Sequence, residues 1–268
     1  MTLILETSMQ RGGNVIENLA VVANPFADLT EEELRRRTSA KWRHFPEDVL
    51  PLWVAEMDAY TAQPIVDAVQ AALANGDTGY PSNQSYAEAM ASFAADRWGW
   101  TFDPTTANQV VDVMTGILEI TRIVGKDDEA LVLTPPVYPP FYSVARTTGK
   151  TVIPAPLNQE SRLDPEAIEA AFKEATAGGR GAVMLLSNPH NPTGTVHTQA
   201  ELAEVARLAR QYGVRVISDE IHAPLIMPTS TFTPYLSVGE TGPDFAVASA
   251  SKGWNLAGFK AAVAIPGA

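Results

Sequence analysis

The sequence contains no cysteine among its 268 residues, which excludes disulfides, thiolate metal ligands and a cysteine nucleophile. Only four histidines are present, scattered along the chain, and they offer little for a zinc site. No apolar run approaches the ~20 residues that a membrane-spanning helix needs. The first nine residues are apolar only from Leu3 to Leu5 and lack the basic segment of a secretory signal. A cytoplasmic enzyme is therefore the expectation.

Basic residues are also in short supply. The chain has 19 lysines and arginines against 31 acidic residues, a formal net charge of −12. This excess of negative charge argues against nucleic acid or an anionic membrane surface as the main partner. A hydrophobic fraction of 46% in a chain of 268 residues is sufficient for the core of one large domain or two smaller ones.

Helical patterns dominate the first hundred residues. Thr30 and Glu33 form a capping-box pattern that predicts a short helix running through Arg37. Residues 63–75 repeat apolar side chains at positions i, i+3 and i+4 before Gly76, which predicts an amphipathic helix with a glycine stop. Residues 85–98 predict a second helix of this kind.

After residue 109 the pattern changes to short apolar runs that alternate with helical stretches. The predicted strands are residues 110–114, 130–133, 151–154, 182–186, 215–218, 245–248 and 261–265. The predicted helices between them are residues 116–124, 139–148, 165–175 and 199–212. Near-continuous apolar strands separated by helices are typical of an α/β fold, here a mostly parallel seven-stranded sheet with helices on both faces.

Ligands of open α/β sheets bind outside the carboxyl ends of the strands, and Lys252 follows the predicted strand 245–248. A lysine in a partly desolvated pocket at such a place can lose its proton and attack an aldehyde as a Schiff-base nucleophile. A lone lysine after a strand is more often a surface residue. The pair Ser249 and Lys252 also matches the S-x-x-K pattern of serine β-lactamases, but the S-D-N and K-T-G companions of that pattern are absent.

Three further residues at strand ends are candidates for the same site. Asp219 follows the strand 215–218, where a carboxylate can pair with a pyridinium nitrogen or simply cap a helix. Asn191 lies in Asn-Pro-His-Asn-Pro-Thr-Gly, whose prolines and glycine fix a turn, with or without a ligand. Tyr138, held between two proline pairs, can stack on a flat ligand or pack internally.

Considered together, these motifs resemble the pyridoxal-5′-phosphate (PLP) enzymes of fold type I, in the class I/II aminotransferase superfamily. Within it they are similar to the MalY/PatB-type branch of cystathionine β-lyase-like C–S lyases. The resemblance covers residues 25–268. The motifs that carry it are Pro51-Leu-Trp-Val-Ala-Glu-Met-Asp58, Gly79-Tyr-Pro81, Thr134-Pro-Pro-Val-Tyr-Pro-Pro-Phe141, Ser187-Asn-Pro-His-Asn-Pro-Thr-Gly194, Ser218-Asp-Glu-Ile-His222 and Asn255-Leu-Ala-Gly258.

The resemblance implies a role for each matched position around the cofactor ring. Lys252 would hold PLP as a Schiff base and later act as the base that moves the proton. Asp219 would form a salt bridge to the pyridine nitrogen, and Tyr138 would stack on the ring. Asn191 would hydrogen-bond the phenolic oxygen, with His222 in the adjoining place.

The resemblance also implies a phosphate site and a partner subunit. Ser249 and the backbone amides around Met114 and Thr115, at a helix N-terminus, would hold the phosphate, as the helix dipole favours. Lys260 falls where most aminotransferases have a phosphate-binding arginine, and a lysine gives a less directional contact. Tyr80 would reach the phosphate in the neighbouring subunit, which implies a homodimer with shared active sites.

The expected domain organisation has three parts. Residues 1–24 are an N-terminal arm, 25–60 an N-terminal segment and 61–268 the PLP-binding large domain. Trp53, in the second part, would line the pocket for a small amino-acid substrate. The family continues into a C-terminal small domain that supplies an arginine for the substrate carboxylate, and the sequence has no residue in that role.

The predicted reaction is β-elimination from a sulfur amino acid such as cystathionine, giving pyruvate, ammonia and a thiol. An aminotransferase would use the same lysine, aspartate and asparagine, so transamination stays open as an alternative. A truncated PLP-binding remnant without catalysis is a further alternative. The other histidines, His44, His190 and His197, are expected at surface or loop positions.

Overall fold

The computed structural model describes residues 24–81, 84–126 and 128–268. The predicted arm, residues 1–24, lies almost wholly outside the described residues. The chain divides into two compact units, residues 1–78 and 79–268. Within the described ranges, no helix has the length and apolar character needed to cross a membrane.

The first unit contains short helices. A 3₁₀ turn at Pro25–Ala27 precedes α1 (Glu31–Leu34), α2 (Ala40–Arg43) and α3 (Gln63–Ala74). The predicted capping box is confirmed, since Thr30 Oγ1 accepts the Glu33 N–H at 3.3 Å and Glu33 accepts the Thr30 N–H at 2.9 Å. The helix that it begins is shorter than predicted and ends at Leu34.

Cationic side chains anchor the segment that carries the Trp-Val-Ala-Glu-Met-Asp motif. Lys41 is 8% exposed, and its Nζ donates to Asp58 Oδ2 at 2.7 Å. Trp42 Nε1 donates to the other oxygen of Asp58 at 2.9 Å, and Arg37 donates to the Met57 carbonyl at 3.1 Å. A buried ammonium without a carboxylate is costly, so the contact with Asp58 fixes this segment against α2.

The helices of the second unit follow the predicted pattern. They are α4 (Ser85–Trp98), α5 (Val113–Val124), α6 (Pro140–Thr148), α7 (Pro165–Ala175) and α8 (Gln199–Tyr212). The predicted bounds of α7 and α8 agree with the structure to the residue. Gly213 ends α8 at φ = 67°, a left-handed conformation that glycine adopts without strain.

In the described part of the chain, seven strands form one sheet. They are β1 (Asn108–Val110), β2 (Ala130–Leu133), β3 (Val152–Pro154), β4 (Ala182–Ser187), β5 (Val214–Asp219), β6 (Phe245–Ala248) and β7 (Ala262–Pro266). Their order is β1-β7-β6-β5-β4-β2-β3. Strands β3, β2, β4, β5 and β6 are parallel, while β7 runs antiparallel to both β6 and β1. The predicted α/β class with a mostly parallel sheet is confirmed.

Strand β4 shows how the helices cover both faces of the sheet. Its Met184 and Leu186 pack in one core with residues of α7 and α8. The alternate residues Val183 and Leu185 pack in a second core with residues of α5 and α6. Every residue of β4 is buried, as expected for a central strand between two helical layers.

The first predicted strand, residues 110–114, is wrong in its extent. Strand β1 ends at Val110, and α5 begins at Val113. The cause is Asp112, whose Oδ1 accepts the Thr115 N–H at 2.8 Å and caps the helix within the apolar run. Met114 therefore lies in the first turn of a helix, which suits its predicted role better than a strand does.

Candidate active site

Asp219 lies at the carboxyl end of β5, the central strand of the sheet. Its side chain is 6% exposed, and Oδ1 accepts the Ile221 N–H at 3.1 Å. Burial raises the pKa of Asp219 to about 7, against the smaller opposing effects of that hydrogen bond and of the Lys252 charge. The site therefore contains a buried carboxyl group with a high affinity for positive charge.

Lys252 lies in the turn after β6, close to the end of β5. Its positive charge lowers the pKa of Asp219 and adds to the effect of burial in lowering the pKa of His222. The turn packs closely on the 3₁₀ turn that follows His222, since a Cβ added to Gly253 would lie 2.8 Å from Pro224 Cβ. The structure thus brings Lys252, Asp219 and His222 together.

Tyr138 is half-buried in the loop after β2. Burial raises the pKa of Tyr138, and the carboxylates of Asp219 and Asp112 raise it further. Its ring contacts Phe141 edge-on, with ring centroids 5.9 Å apart. Tyr138 accordingly lies near both the end of β5 and the start of α5.

The N-terminus of α5 presents a cluster of potential phosphate ligands. The N–H groups of Val113 and Met114 precede the first intrahelical hydrogen bond, and such groups attract anions. The Thr115 N–H is already engaged by Asp112, whose Oδ2 also accepts Lys260 Nζ at 3.0 Å. Lys260 is therefore placed at this helix end, although a carboxylate shares the position.

Ser249 is buried, and its hydroxyl is engaged. Its Oγ donates to the Ala261 carbonyl at 2.7 Å and accepts the Ser251 N–H at 3.0 Å. The single hydroxyl proton of a serine can serve one acceptor, so a contact with a phosphate requires the Ser249 hydroxyl to rotate. Tyr86, which the sequence did not single out, accepts the Ala250 N–H at 3.0 Å and supports this turn.

Asn191 lies in the loop after β4. Its N–H donates to Ser187 Oγ at 3.1 Å, which holds the turn that presents the carboxamide. Asn191 and His222 both line a pocket of about 370 Å³, together with the apolar side chains Leu225 and Met227. This pocket joins the two residues predicted to flank the phenolic oxygen.

Two further residues of the predicted site are Tyr80 and Trp53. Tyr80 is fully exposed. Trp53 belongs to the first unit, where its Nε1 donates to the Lys41 carbonyl at 3.3 Å and its ring lies 4.7 Å from that of His44. Their predicted roles, at a partner subunit and in a substrate pocket, stay predictions.

The predicted surface or loop positions of His44, His190 and His197 are confirmed, since all three residues lie outside the helices and strands. His44 is exposed as expected, whereas His190 is 2% exposed and His197 is fully buried. Neither ring nitrogen of His197 has a hydrogen-bond partner among the described residues, and burial lowers its pKa to about 4.

Glu220 and Asp112 are further acidic residues of the site region. Glu220 is 2% exposed; its Oε1 accepts the Ser218 hydroxyl at 3.0 Å and the Tyr235 N–H at 2.8 Å. Burial raises the pKa of Glu220 to about 7. Asp112 was missed because its run was interpreted as a strand, although a lone aspartate ahead of a helical pattern is a capping signal.

Comparison with known proteins places this arrangement in a family. Residues 47–265 match the family described as aminotransferase class I and II, and the chain belongs to that family. A candidate cystathionine β-lyase of Mycobacterium leprae is 52% identical over 251 residues, which cover 92% of this chain and 62% of that protein. The cystathionine β-lyase of Corynebacterium glutamicum is 35% identical over 233 residues, covering 86% of this chain and 61% of the relative.

A solved structure shows the same fold. The crystal structure of a candidate PLP-dependent β-cystathionase from Corynebacterium diphtheriae superposes with a TM-score of 0.83 at 31% identity. The superposition covers 90% of this chain and 62% of that chain. The chain thus spans somewhat less than two thirds of the length of these relatives. The predicted fold-type I architecture is confirmed.

Proposed function

We propose that the protein is a PLP-dependent C–S lyase that releases pyruvate, ammonia and a thiol from sulfur amino acids such as cystathionine. The main support for the proposal is that Lys252 lies close enough to the buried Asp219, at the carboxyl end of the sheet, for its charge to lower the pKa of that residue. Relatives that are 52% and 35% identical to this chain and are named for cystathionine β-lyase activity support this choice of reaction.

The residues present fit the cofactor. A buried carboxyl group whose pKa is raised to about 7 needs a cation beside it to stay ionised, and a protonated pyridine nitrogen is such a cation. The N–H groups at the start of α5, with Lys260, suit a phosphate. Tyr138 lies between these two places and has a flat aromatic face for the ring.

Each residue then has a defined task. When bound, PLP supplies an electron-withdrawing ring that accepts the electron pair left after removal of the substrate α proton. Lys252 would hold the cofactor covalently and, once displaced by the substrate amine, its Nζ would take that proton. Asp219 would hold the proton on the ring nitrogen, while Asn191 and His222 would bind the phenolic oxygen.

The phosphate would be held by the backbone amides around Met114 and Thr115, by Ser249 and by Lys260. The sulfur atom leaves the β carbon as a thiolate with the electron pair of the broken C–S bond. Lys252, whose Nζ has gained the α proton, would pass that proton to the leaving sulfur, so that the product is a neutral thiol. Water then hydrolyses the three-carbon product to pyruvate and ammonia, so atoms and charges balance.

We further propose a cytoplasmic homodimer with shared active sites. The Tyr80 side chain is fully exposed and is therefore accessible to a partner subunit. Tyr80 would reach the cofactor phosphate in the partner subunit, and Trp53 would line the substrate pocket. The cofactor is assigned to residues 61–268, with 25–60 as a separate N-terminal segment. Sedimentation with and without PLP tests the dimer.

Transamination is the second candidate, because the family match itself is to class I and II aminotransferases. The same Lys252, Asp219 and Asn191 would serve it. The difference lies in the fate of the cofactor, which an aminotransferase converts to pyridoxamine phosphate until a keto acid restores it. Keto-acid-dependent appearance of pyridoxamine phosphate therefore distinguishes the two reactions.

Replacement of Lys252 by alanine tests the proposal directly. The unmodified protein should develop a visible absorption band with PLP and, after borohydride reduction, carry the pyridoxyl group on Lys252. Pyruvate should form from cystathionine in the unmodified protein and not in Lys252→Ala. Undiminished pyruvate formation by that variant would refute the proposal, and labelling of Lys252 without any product would leave PLP binding as the sole activity.

A further inference from the structure

His190 connects the loop that carries Tyr138 with the loop that carries Asn191. It immediately precedes Asn191 and is 2% exposed. Its Nε2 lies 3.4 Å from the Oγ1 and 3.3 Å from the carbonyl oxygen of Thr134, the first residue after β2. Its Nδ1 lies 3.0 Å from Oγ1 of Thr193, two residues beyond Asn191. One imidazole ring thus touches both loops.

The hydrogen bonds beyond Thr193 fix the direction of the whole series. Thr195 Oγ1 lies 2.9 Å from the Ser161 carbonyl oxygen, which can only accept, so the Thr195 hydroxyl donates there. Thr195 Oγ1 must therefore accept from Thr193 Oγ1, 2.9 Å away. Since the Thr193 proton is used in that bond, Thr193 accepts from His190, and Nδ1 of His190 carries the proton.

The role of Nε2, the other ring nitrogen of His190, follows from the same reasoning. Burial lowers the pKa of His190, which favours the neutral ring. With the proton on Nδ1, Nε2 is an acceptor, so its hydrogen-bond partner is the Thr134 hydroxyl at 3.4 Å, and the Thr134 carbonyl oxygen at 3.3 Å is a contact without a hydrogen bond. The donors then run in one direction, from Thr134 through His190, Thr193 and Thr195 to Ser161. Hydrogen bonds arranged in this way strengthen one another.

We propose that His190, as the neutral tautomer protonated on Nδ1, is a positioning residue that sets Asn191 and Tyr138 relative to each other. This inference rests on the proposed function, because those two residues are the ones assigned to the phenolic oxygen and the ring face. Thr134 belongs to the Tyr138 loop and Thr193 to the Asn191 turn. A ring bonded to both holds the amide and the aromatic face at a fixed separation.

The tautomer can be measured without cofactor or substrate. Long-range ¹H–¹⁵N NMR spectra of the unmodified, cofactor-free protein distinguish a protonated Nδ1 from a protonated Nε2. We expect the shifts of the Nδ1-protonated neutral ring at pH 7, assigned with the Thr193→Val variant. An Nε2-protonated ring, or an imidazolium, would overturn the proposed order of donors.

Two variants separate the two ends of the ring. In His190→Asn the amide group lies near the place of Nδ1 and can still donate to Thr193. In His190→Gln the longer side chain reaches towards Thr134 and leaves Thr193 without its donor. A buried hydrogen bond is worth ~1 kcal/mol, which corresponds to about a fivefold change in affinity.

We therefore expect His190→Gln and Thr193→Val to bind PLP about fivefold more weakly, and His190→Asn to stay within about twofold of the unmodified protein. The pH midpoint of the visible band should shift in the first two variants only. If His190→Asn and His190→Gln weaken PLP binding equally, in a protein that still carries PLP on Lys252, His190 has only a packing role. That result would overturn the inference about His190 and leave the proposed function standing. A protein that never takes up PLP on Lys252 would overturn the proposed function and, with it, this role.

Discussion

Asp219 carries a carboxyl group that is 6% exposed and that accepts the Ile221 N–H at 3.1 Å. Desolvation outweighs both this hydrogen bond and the charge of Lys252, since the pKa is raised to about 7. In the cofactor-free protein Asp219 is therefore divided between its neutral and charged forms near pH 7. A cationic ligand beside it would shift this balance to the carboxylate.

Replacement of Asp219 by asparagine should separate cofactor binding from turnover. The substituted carboxamide keeps the size of the side chain but holds no negative charge against the ring nitrogen. We expect PLP to remain trapped on Lys252 while pyruvate formation falls about 100-fold or more, the usual scale for a lost preorganised charge contact. The control is Glu220→Gln, which can still accept from Ser218 and Tyr235. A similar loss in both variants would contradict an assignment of this role to Asp219.

The turn that carries Lys252 has room for glycine but not for a larger residue at position 253. A Cβ on Gly253 would lie 2.8 Å from Pro224 Cβ, and a proline ring cannot rotate away, whereas a Cβ on Gly258 meets nothing within 4 Å. Gly253→Ala should therefore cost about 1–3 kcal/mol of stability and reduce trapping of PLP on Lys252. Gly258→Ala should change neither. Thermal unfolding and borohydride trapping of the two variants provide the comparison, and equal melting temperatures would contradict this packing argument.

At the scale of secondary structure, the sequence predicts elements whose signals are local. The bounds of β2, β6, α7 and α8 were predicted to the residue. These elements have caps, glycine stops or short apolar runs that mark both ends. The predicted strand 110–114 failed because β-branched valines surround Asp112, and the capping role of that aspartate appears only with the hydrogen bond to Thr115.

Contacts between distant parts of the chain could not be predicted in this way. The position of β7 between β6 and β1 has no local signal, because its pairing with β1 joins Asn108 to Ala264. The contact of Asp112 with Lys260 and that of His190 with Thr134 likewise join different loops. Motifs at strand ends identified candidate residues, whereas hydrogen-bond directions required the folded structure.

The N-terminus of α5 leads to a prediction about phosphate affinity. Asp112 accepts the Thr115 N–H and the Lys260 ammonium, and its negative charge opposes a phosphate at the same helix end. Asp112→Asn keeps a capping oxygen but removes this charge and releases Lys260. We expect tighter binding of PLP, by about three- to tenfold, in absorbance titrations at low salt.

The matched ligand for this experiment is pyridoxal, which has no phosphate. Its affinity should be the same for the unmodified protein and for Asp112→Asn. Asp112→Ala, which removes the cap as well, should lose about 1 kcal/mol of stability. Weaker PLP binding by Asp112→Asn at unchanged stability would mean that the carboxylate assists the phosphate instead of opposing it.

At the scale of the whole molecule, two sets of buried titratable groups act in opposite directions on stability. Carboxyl groups with raised pKa values bind protons more tightly in the folded state than in the unfolded state; they are Asp219, Glu220 and Asp244. Imidazoles with lowered pKa values bind protons more weakly when folded; they are His190, His197 and His222. Between pH 4 and 7 the two contributions oppose each other.

Single-site variants should reveal each contribution in the cofactor-free protein. The pKa of Asp219 rises from 3.8 to about 7, so its stabilisation is complete at low pH and is lost as the pH rises through 7. The pKa of His197 falls from 6.5 to about 4, so its stabilisation is complete above pH 6.5 and is lost as the pH falls towards 4.

Urea unfolding at several pH values measures both effects. Relative to Asp219→Asn, the unmodified protein should lose stability as the pH rises from 4 to 7. Relative to His197→Leu, the unmodified protein should lose stability as the pH falls from 7 to 4. Each pH unit across which a group is protonated in only one state changes the difference by about 1.4 kcal/mol. Parallel curves for either variant would refute the assignment for that residue.

The antiparallel insertion of β7 sets an order of events during synthesis. Strand β1 is made early, yet within the described part of the chain its strand partner is β7, made more than a hundred residues later. The ribosome therefore exposes β1 well before β7 is available to pair with it. Closing so long a loop is also slow. Lys252 and Lys260 lie in the connection between β6 and β7 and are therefore also made late. We therefore expect the proposed cofactor site to bind PLP only after β7 has emerged and closed the sheet.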